Sequence, residues 1–467
     1  MRADDRTTSD GAERRSSSAT DARPSIAARV ERLPLVGFHY RFIALISLGA
    51  FFDFFDIFML AYVGAALQSS GFLGLEQFSA LLAAGFLGMF VGTAVFGIGS
   101  DRFGRRTSFV LMLLIYSIFT LAGAFAPDAT TLIVTRALAG VGIGAELVVI
   151  DTYVTEIVPG AYRGRFVAIT QLVGFCAIPV AALLSRVLLP THVVLDGWRW
   201  ILVIGALGGV FTWWIRRGIP ESPRWLESVG RGDEAERVMA GIERTVEAEH
   251  GGPLPAPRVL RVERAERVPV RELFGPVYRS RTLMLLVFHP LQTVGIYGFA
   301  NWAPTFLLRQ GQSLGHSLEY SFLIALVSPV GPLLGVLTAE RFERKRSIVV
   351  LSALMALVGL AFPYARSAVE IVAIGALFTI FSYWFSSAFH AYQAELFPTR
   401  ARATGVGFTY GMSRLSAVFS TLIIGALLVR GVLAVFVFMA AAMLGVALVV
   451  GVFGPRTNAI ALEDVSH

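Results

Sequence analysis

Two carboxylates, Asp53 and Asp56, stand three residues apart in "FFDFFDIFML" (51–60), inside a long apolar run. Three residues is about one helical turn, so both project from roughly one face. Glu146 interrupts a second apolar run and Arg414 a third. A charge in the middle of a bilayer costs about 2.5–3.5 kcal/mol on insertion scales, which makes each of these a functional candidate. Burial in general favours the neutral form of a carboxylate, and a neighbouring cation favours the charged form. An acid set between those influences changes protonation as its surroundings change, which is what proton coupling requires. Arg414 offers a permanently charged, planar fork suited to a carboxylate. That carboxylate is either an anionic solute's or the side chain of Asp53 or Glu146.

Charges of this kind need helices to hold them. The 467 residues are 55% hydrophobic and 16% charged, with a mean hydropathy of +0.66, the composition of a membrane protein. The stretches 78–100, 107–127, 166–185, 320–339, 347–365 and 431–455 carry no charged residue, and each is near the ~20 residues a spanning helix needs. Further stretches around 42–67, 131–155, 200–215, 282–307, 371–394 and 403–429 are apolar with isolated polar interruptions. The expectation is an all-α membrane protein of twelve transmembrane helices. The alternation of barrel strands is missing.

Arginine concentrates in alternate loops, at Arg102/Arg105/Arg106, Arg163/Arg165, Arg341/Arg344/Arg346 with Lys345, and Arg400/Arg402. Short loops rich in Arg are expected in the cytoplasm, and even parity puts both termini there. Residues 1–36 are polar and read as a disordered cytoplasmic tail. Two six-helix bundles follow, 37–216 and 281–455, joined by a cytoplasmic linker (217–280) with surface helices and ending in a second tail (456–467). The net charge of +7 lies mostly in these loops, so the bilayer is the implied partner and nucleic acid is not. A single cysteine, Cys176, excludes an intrachain disulfide.

The loops also carry a repeat. In "SDRFGRR" (100–106) and "AERFERK" (339–345), Asp101, Arg102, Arg105 and Arg106 match Glu340, Arg341, Arg344 and Lys345 at a separation of 239. In "YVTEIVPGAYR" (153–163) and "YQAELFPTRAR" (392–402), Glu156 and Arg163 match Glu395 and Arg402 at the same 239. Two motifs at one separation make the halves duplicates, a transporter architecture with its site near the midplane. Asp53 and Asp56 lie ~18 and ~22 Å along the first helix from Arg41. Glu146 falls midway between Arg136 and Glu156, and Arg414 twelve residues beyond Arg402, so all four are placed near that depth. The acids of the loop motifs are expected to meet the arginines of the other loop and latch the halves on the cytoplasmic side.

These residues resemble the major facilitator superfamily. "GIGSDRFGRR" (97–106), "RALAGVGIGAELVVIDTYVTEIVPGAYRGR" (136–165) and "PESPRWL" (220–226) are similar to signatures of its sugar-porter-like branch. "DFFD" (53–56) and "GAEL" (144–147) resemble its metabolite:proton symporters, including niacin and aromatic-acid carriers. The resemblance implies proton-coupled uptake of a small organic solute, an organic or aromatic carboxylate, by alternating access. It also implies that Asp56, which aligns with the first-helix Asp of proton-coupled sugar porters, carries the proton, with Glu146 second and Asp53 a neighbour. The sugar-porter Gln-Gln pair and Asn of the seventh helix are reduced to Gln292 and Asn301, and the Pro-Glu-Thr motif after the last span is Pro455-Arg456-Thr457. A sugar or polyol symporter, or a drug or metabolite antiporter, is the alternative.

Candidate substrate contacts are Arg414, Gln171, Gln292 and Asn301, with an aromatic wall of Tyr297, Trp302, Tyr383 and Trp384. Adjacent in sequence, Tyr383 and Trp384 cannot both face inward. His289 and His390 are not spaced as metal ligands, and no HExxH, catalytic triad, Cys/His cluster or phosphate loop occurs. No enzyme activity, cofactor or metal is expected. The expected partners are solute, protons and lipid, and the expected state is a monomer. Small residues at 88 and 92, 140 and 144, and 407 and 411 are expected to let helices pack closely.

Overall fold

The structure is a computed structural model that describes residues 25–144, 146–192, 194–257, 269–338, 341–397 and 399–457. The side chains of 98, 146–148, 212–216, 399–400 and 402–403 lie outside that description. Among the described residues the ordered elements are helices, with no strand.

Among the described residues, ten helices are long and apolar enough to cross a bilayer. They are the first span Gly37–Ser69, second Leu75–Phe103, third Arg105–Ala124, fifth Gly160–Leu188 and seventh Arg279–Ala300. The eighth is Leu314–Thr338, the ninth Arg344–Tyr364, the tenth Ala368–Glu395, the eleventh Thr404–Leu428 and the twelfth Val432–Phe453. The fourth span pairs Ala129–Ile143 with Glu146–Ile157, and the sixth pairs Gly197–Ala206 with Gly208–Gly218. This is the expected twelve-helix architecture. Helices answer the bilayer's main demand, because each satisfies its own backbone hydrogen bonds where no water can. The spans alternate in direction, so the arginine-bearing loops gather on one face, called here the arginine-rich face.

Glycines set how closely the second and fourth spans approach. A Cβ on Gly88 would lie 2.0 Å from the Ala137 carbonyl oxygen, and one on Gly144 2.0 Å from that of Met89. The two backbones touch because neither side has a side chain there. Gly407 and Gly411 behave differently: a Cβ on either would meet nothing within 4 Å. They border open space, contrary to the expectation of close packing.

The two bundles meet on the face away from the arginine-rich loops. There Gln68 donates to the Thr305 hydroxyl at 3.1 Å, Arg186 pairs with Glu319 at 3.1 Å, and the Phe78 and Trp302 rings sit 5.0 Å apart. The second span packs along the eleventh, and the fifth along the eighth. Among the described residues, the bundles are thus joined by polar bonds and ring contacts at this closed face.

One expectation fails at the N-terminal side. Residues 1–24 lie outside the description, but Ile26–Glu31 is a helix capped by Ser25, not part of a disordered tail. Arg29 pairs with Glu236 and Glu243 at 2.5 Å each, and Arg32 with Glu243 at 2.6 Å. Burial works against an ionised Glu243, but the bonds from Arg29 and Arg32 outweigh it and hold its carboxyl below the usual range. Those acids belong to the helix Gly232–His250, far along the chain, and local polarity gives no sign of them.

Candidate functional site

Where the bundles part, a cleft of about 480 Å³ opens. The first half lines it with Phe54, Phe58, Gln171 and Phe175, and the second with Tyr297, Tyr383, His390, Tyr410 and Arg414. Arg414 is 5% exposed. Its Nη1 donates to the Tyr297 hydroxyl at 2.6 Å, and its guanidinium carbon lies 5.7 and 5.5 Å from the ring centres of Tyr297 and Tyr410. Two rings thus hold the fork by cation–π attraction and leave its charge intact. Asp53, buried on the first span, is the carboxylate whose charge reaches Arg414. Tyr383 stands 4.7 Å from the Phe175 ring and 6.5 Å from that of Phe58, so aromatic contacts close the cleft between the halves. His390 Nδ1 lies 2.8 Å from the Ser386 carbonyl oxygen, and donation there leaves Nε2 as an acceptor.

Asp56 is not in this cleft. Its carboxylate pairs with Arg136 and also accepts from Arg136 Nη1 at 3.1 Å and the Thr120 hydroxyl at 3.0 Å. The side chains of Asp56 and Arg136 are 0% and 1% exposed, a dry knot of the first, third and fourth spans. The expected convergence of Asp56 on Arg414 is therefore corrected: Asp56 belongs to Arg136, and the acid whose charge acts on Arg414 is Asp53. The side chain of Glu146 lies outside the described residues. Arg136 is plain in the sequence as a charge near the start of the fourth helix, but which acid it faces depends on helix docking.

Of the other expected contacts, Gln171, Tyr297 and Tyr383 line the cleft, and four do not. Gln292 is buried and donates to the Thr293 hydroxyl at 3.1 Å. Asn301 is buried where the seventh span ends. Trp302 packs between Phe78 and Phe306 in the closed face. Trp384 turns to the eighth span, where its Nε1 donates to Thr338 at 3.0 Å. Successive helical residues point ~100° apart, which is why Tyr383 reaches the cleft and its neighbour does not. Phe54, Phe58, Phe175, His390 and Tyr410 were missed, because an aromatic on an apolar helix carries no local sign that it faces a cavity.

At the arginine-rich face, Arg105 donates to Asp101 at 2.7 Å and to Glu156 at 3.0 Å. Glu221 of "PESPRWL" accepts from the backbone N–H groups of Arg105 and Arg106 at 2.9 and 3.0 Å. An anion at a helix N-terminus is favoured by the unpaired N–H groups and the helix dipole. Gly104, at φ +99°, makes room, because a Cβ there would lie 2.4 Å from the Glu221 Oε2. The Tyr153 hydroxyl donates to the Pro220 carbonyl. In the second half Arg344 pairs with Glu395 at 2.7 Å, and the Tyr392 hydroxyl donates to the Pro455 carbonyl at 2.9 Å. Each of these bonds stays within one half or joins it to the segment that follows its last span, so these pairs do not form the expected latch between halves. Arg163 pairs with Glu31, Arg102 sits 5.7 Å from the Phe103 ring, and Arg341 is exposed. Glu340 and the side chain of Arg402 lie outside the described residues.

The repeat also exposes a reversal of charge. At the separation of 239, Gly104 corresponds to Glu343, and the Tyr–Pro bonds put Arg456 in the place of Glu221. Glu343 Oε1 stands 3.8 Å from Arg456 Nε, so the acid has moved to the helix start and the base to the following segment. Arg456→Glu alone should slow transport by roughly two- to fivefold, the scale of an exposed ion pair. Adding Glu343→Arg should restore the rate in reconstituted vesicles. A double variant as slow as the single one would show that the pair is not engaged during transport.

The family described as sugar (and other) transporter matches residues 42–467. The chain belongs to this family. It is a multi-pass membrane transporter of the major facilitator superfamily, not an enzyme. The transporter is 33% identical over 438 residues to the putative metabolite transport protein YyaJ of Bacillus subtilis, covering 93% of this chain and 96% of the relative. It is 30% identical over 444 residues to the niacin transporter NiaP of Acinetobacter baylyi, covering 94% and 99%. Its fold matches the partially occluded inward open conformation of the xylose transporter XylE from E. coli, with a TM-score of 0.73 over 91% of this chain and 99% of that one. At 17% identity that likeness is one of fold.

Proposed function

We propose that this transporter takes up a small aromatic or other organic carboxylate together with protons, by alternating access. Arg414 carries the reading: a guanidinium held between two tyrosine rings in the cleft suits a planar anion, with the fork for the carboxylate and the aromatic wall for the ring. Niacin, the solute in one relative's name, is a compound of that class. A sugar needs many hydrogen-bonding partners, but Gln292 is turned away from the cleft and Asn301 does not line it.

The Asp56–Arg136 pair supplies the coupling site. When Asp56 is protonated it releases Arg136, and when ionised it holds three spans together. Asp53 is the resting counter-charge of Arg414, and Glu146 is a second candidate carrier. The arginine-rich face is cytoplasmic, which puts both termini inside and leaves the cleft open inward. The motif residues around Arg105 and Arg344 brace each half as the bundles rock.

The test is thermal unfolding of the purified protein with nicotinate, benzoate, xylose and glucose. A ligand at a hundred times its Kd stabilises the folded state by about 2.7 kcal/mol. Stabilisation by the aromatic acids and not the sugars is expected, and the reverse pattern would overturn the substrate class.

A further inference from the structure

Asp151 has no role in the pairings above. It sits on the second piece of the fourth span, Glu146–Ile157, five residues before the Glu156 that meets Arg105 at the arginine-rich face. Asp151 is partly exposed, yet its Oδ1 is sealed from solvent with no hydrogen-bond partner among the described residues. Its charge reaches Tyr410, on the cleft wall of the opposite half.

The surrounding charges are committed elsewhere. On the spans packed against this segment, Asp56 holds Arg136, and Arg105 holds both Asp101 and Glu156. The charge of Asp53 acts on Arg414, and Arg163 and Arg224 both bind Glu31. Arg106 receives Glu221 at its backbone, Glu227 accepts from Ile26 at 3.4 Å, and Arg102, Arg165 and Arg41 are exposed. His39, buried at the arginine-rich end of the first span, accepts the Val36 N–H at its Nδ1. Among the described residues, no charged side chain offsets the burial of Asp151. An ionised carboxylate with a sealed, unpaired oxygen is costly, and either a proton or a bound partner removes that cost.

We propose that Asp151 is a second proton-carrying site on the fourth span, nearer the arginine-rich face than Asp56. An O–H bond forms on its carboxylate when the cleft is shut against that face. The same bond breaks to cleft water, leaving the carboxylate ionised, when the cleft is hydrated. This rests on the reading that transport is proton-coupled, but the group itself can be tested without any solute.

The experiment is infrared difference spectroscopy of the full-length protein in lipid, between acidic and neutral buffer. A protonated carboxyl band that titrates with pH should be lost in Asp151→Asn, shifted in Asp151→Glu, and retained in Asp56→Asn. The Glu variant keeps the test standing if the Asn variant folds poorly. A wild-type pH difference kept unchanged in Asp151→Asn would overturn the assignment, as would an Asp151 band that stays constant across pH. If solute drives no proton movement in wild-type vesicles, the coupling reading fails by itself, and the infrared result still decides Asp151.

Discussion

Asp56→Asn should abolish accumulation of solute against a gradient while exchange between equal pools continues. Asparagine mimics the protonated acid, so the cycle can run loaded in both directions but has no proton to follow. The same change leaves Arg136 without its counter-charge in a site that is 1% exposed. Removing one partner of a buried pair costs about 3–5 kcal/mol, because the remaining charge is uncompensated, so this variant should also melt lower. Adding Arg136→Gln should recover most of that stability and leave transport uncoupled. The contrast separates coupling from folding. Wild-type accumulation by the stable double variant would remove the pair from the coupling mechanism.

Arg414→Ala should weaken nicotinate or benzoate binding by about ten- to a hundredfold, since a hydrogen bond to a charged group contributes about 1.5–3 kcal/mol and 1.4 kcal/mol is tenfold. Arg414→Lys should lose about tenfold: the charge remains, but the planar fork that fits between Tyr297 and Tyr410 is gone. Binding is measured by calorimetry on purified protein, with a neutral pentose as control. Equal losses for the acid and the pentose would mean that Arg414 holds the cleft's shape and does not bind the anion.

Much of this protein is settled by sequence because a bilayer imposes a simple rule. Twelve apolar stretches must become helices, since only a helix satisfies its own backbone in lipid. The shared separation of 239 makes the halves duplicates without any structure. Glycines at 88 and 144 mark a close helix contact, because a missing side chain is itself the local cause of the approach.

Partner choice across helices is another matter. Asp53 and Asp56 look alike in the sequence, one turn apart, yet docking pairs Asp56 with Arg136, while the charge of Asp53 acts on Arg414. Tyr383 reaches the cleft while Trp384 turns to Thr338, and Arg29 finds acids more than two hundred residues away. Sequence alone determined the helices, their repeat and the position of each charge along its helix, because those follow from local hydropathy and a fixed rise per residue. Only the tertiary structure decided which charge meets which, because that depends on how each helix is rotated against its neighbours.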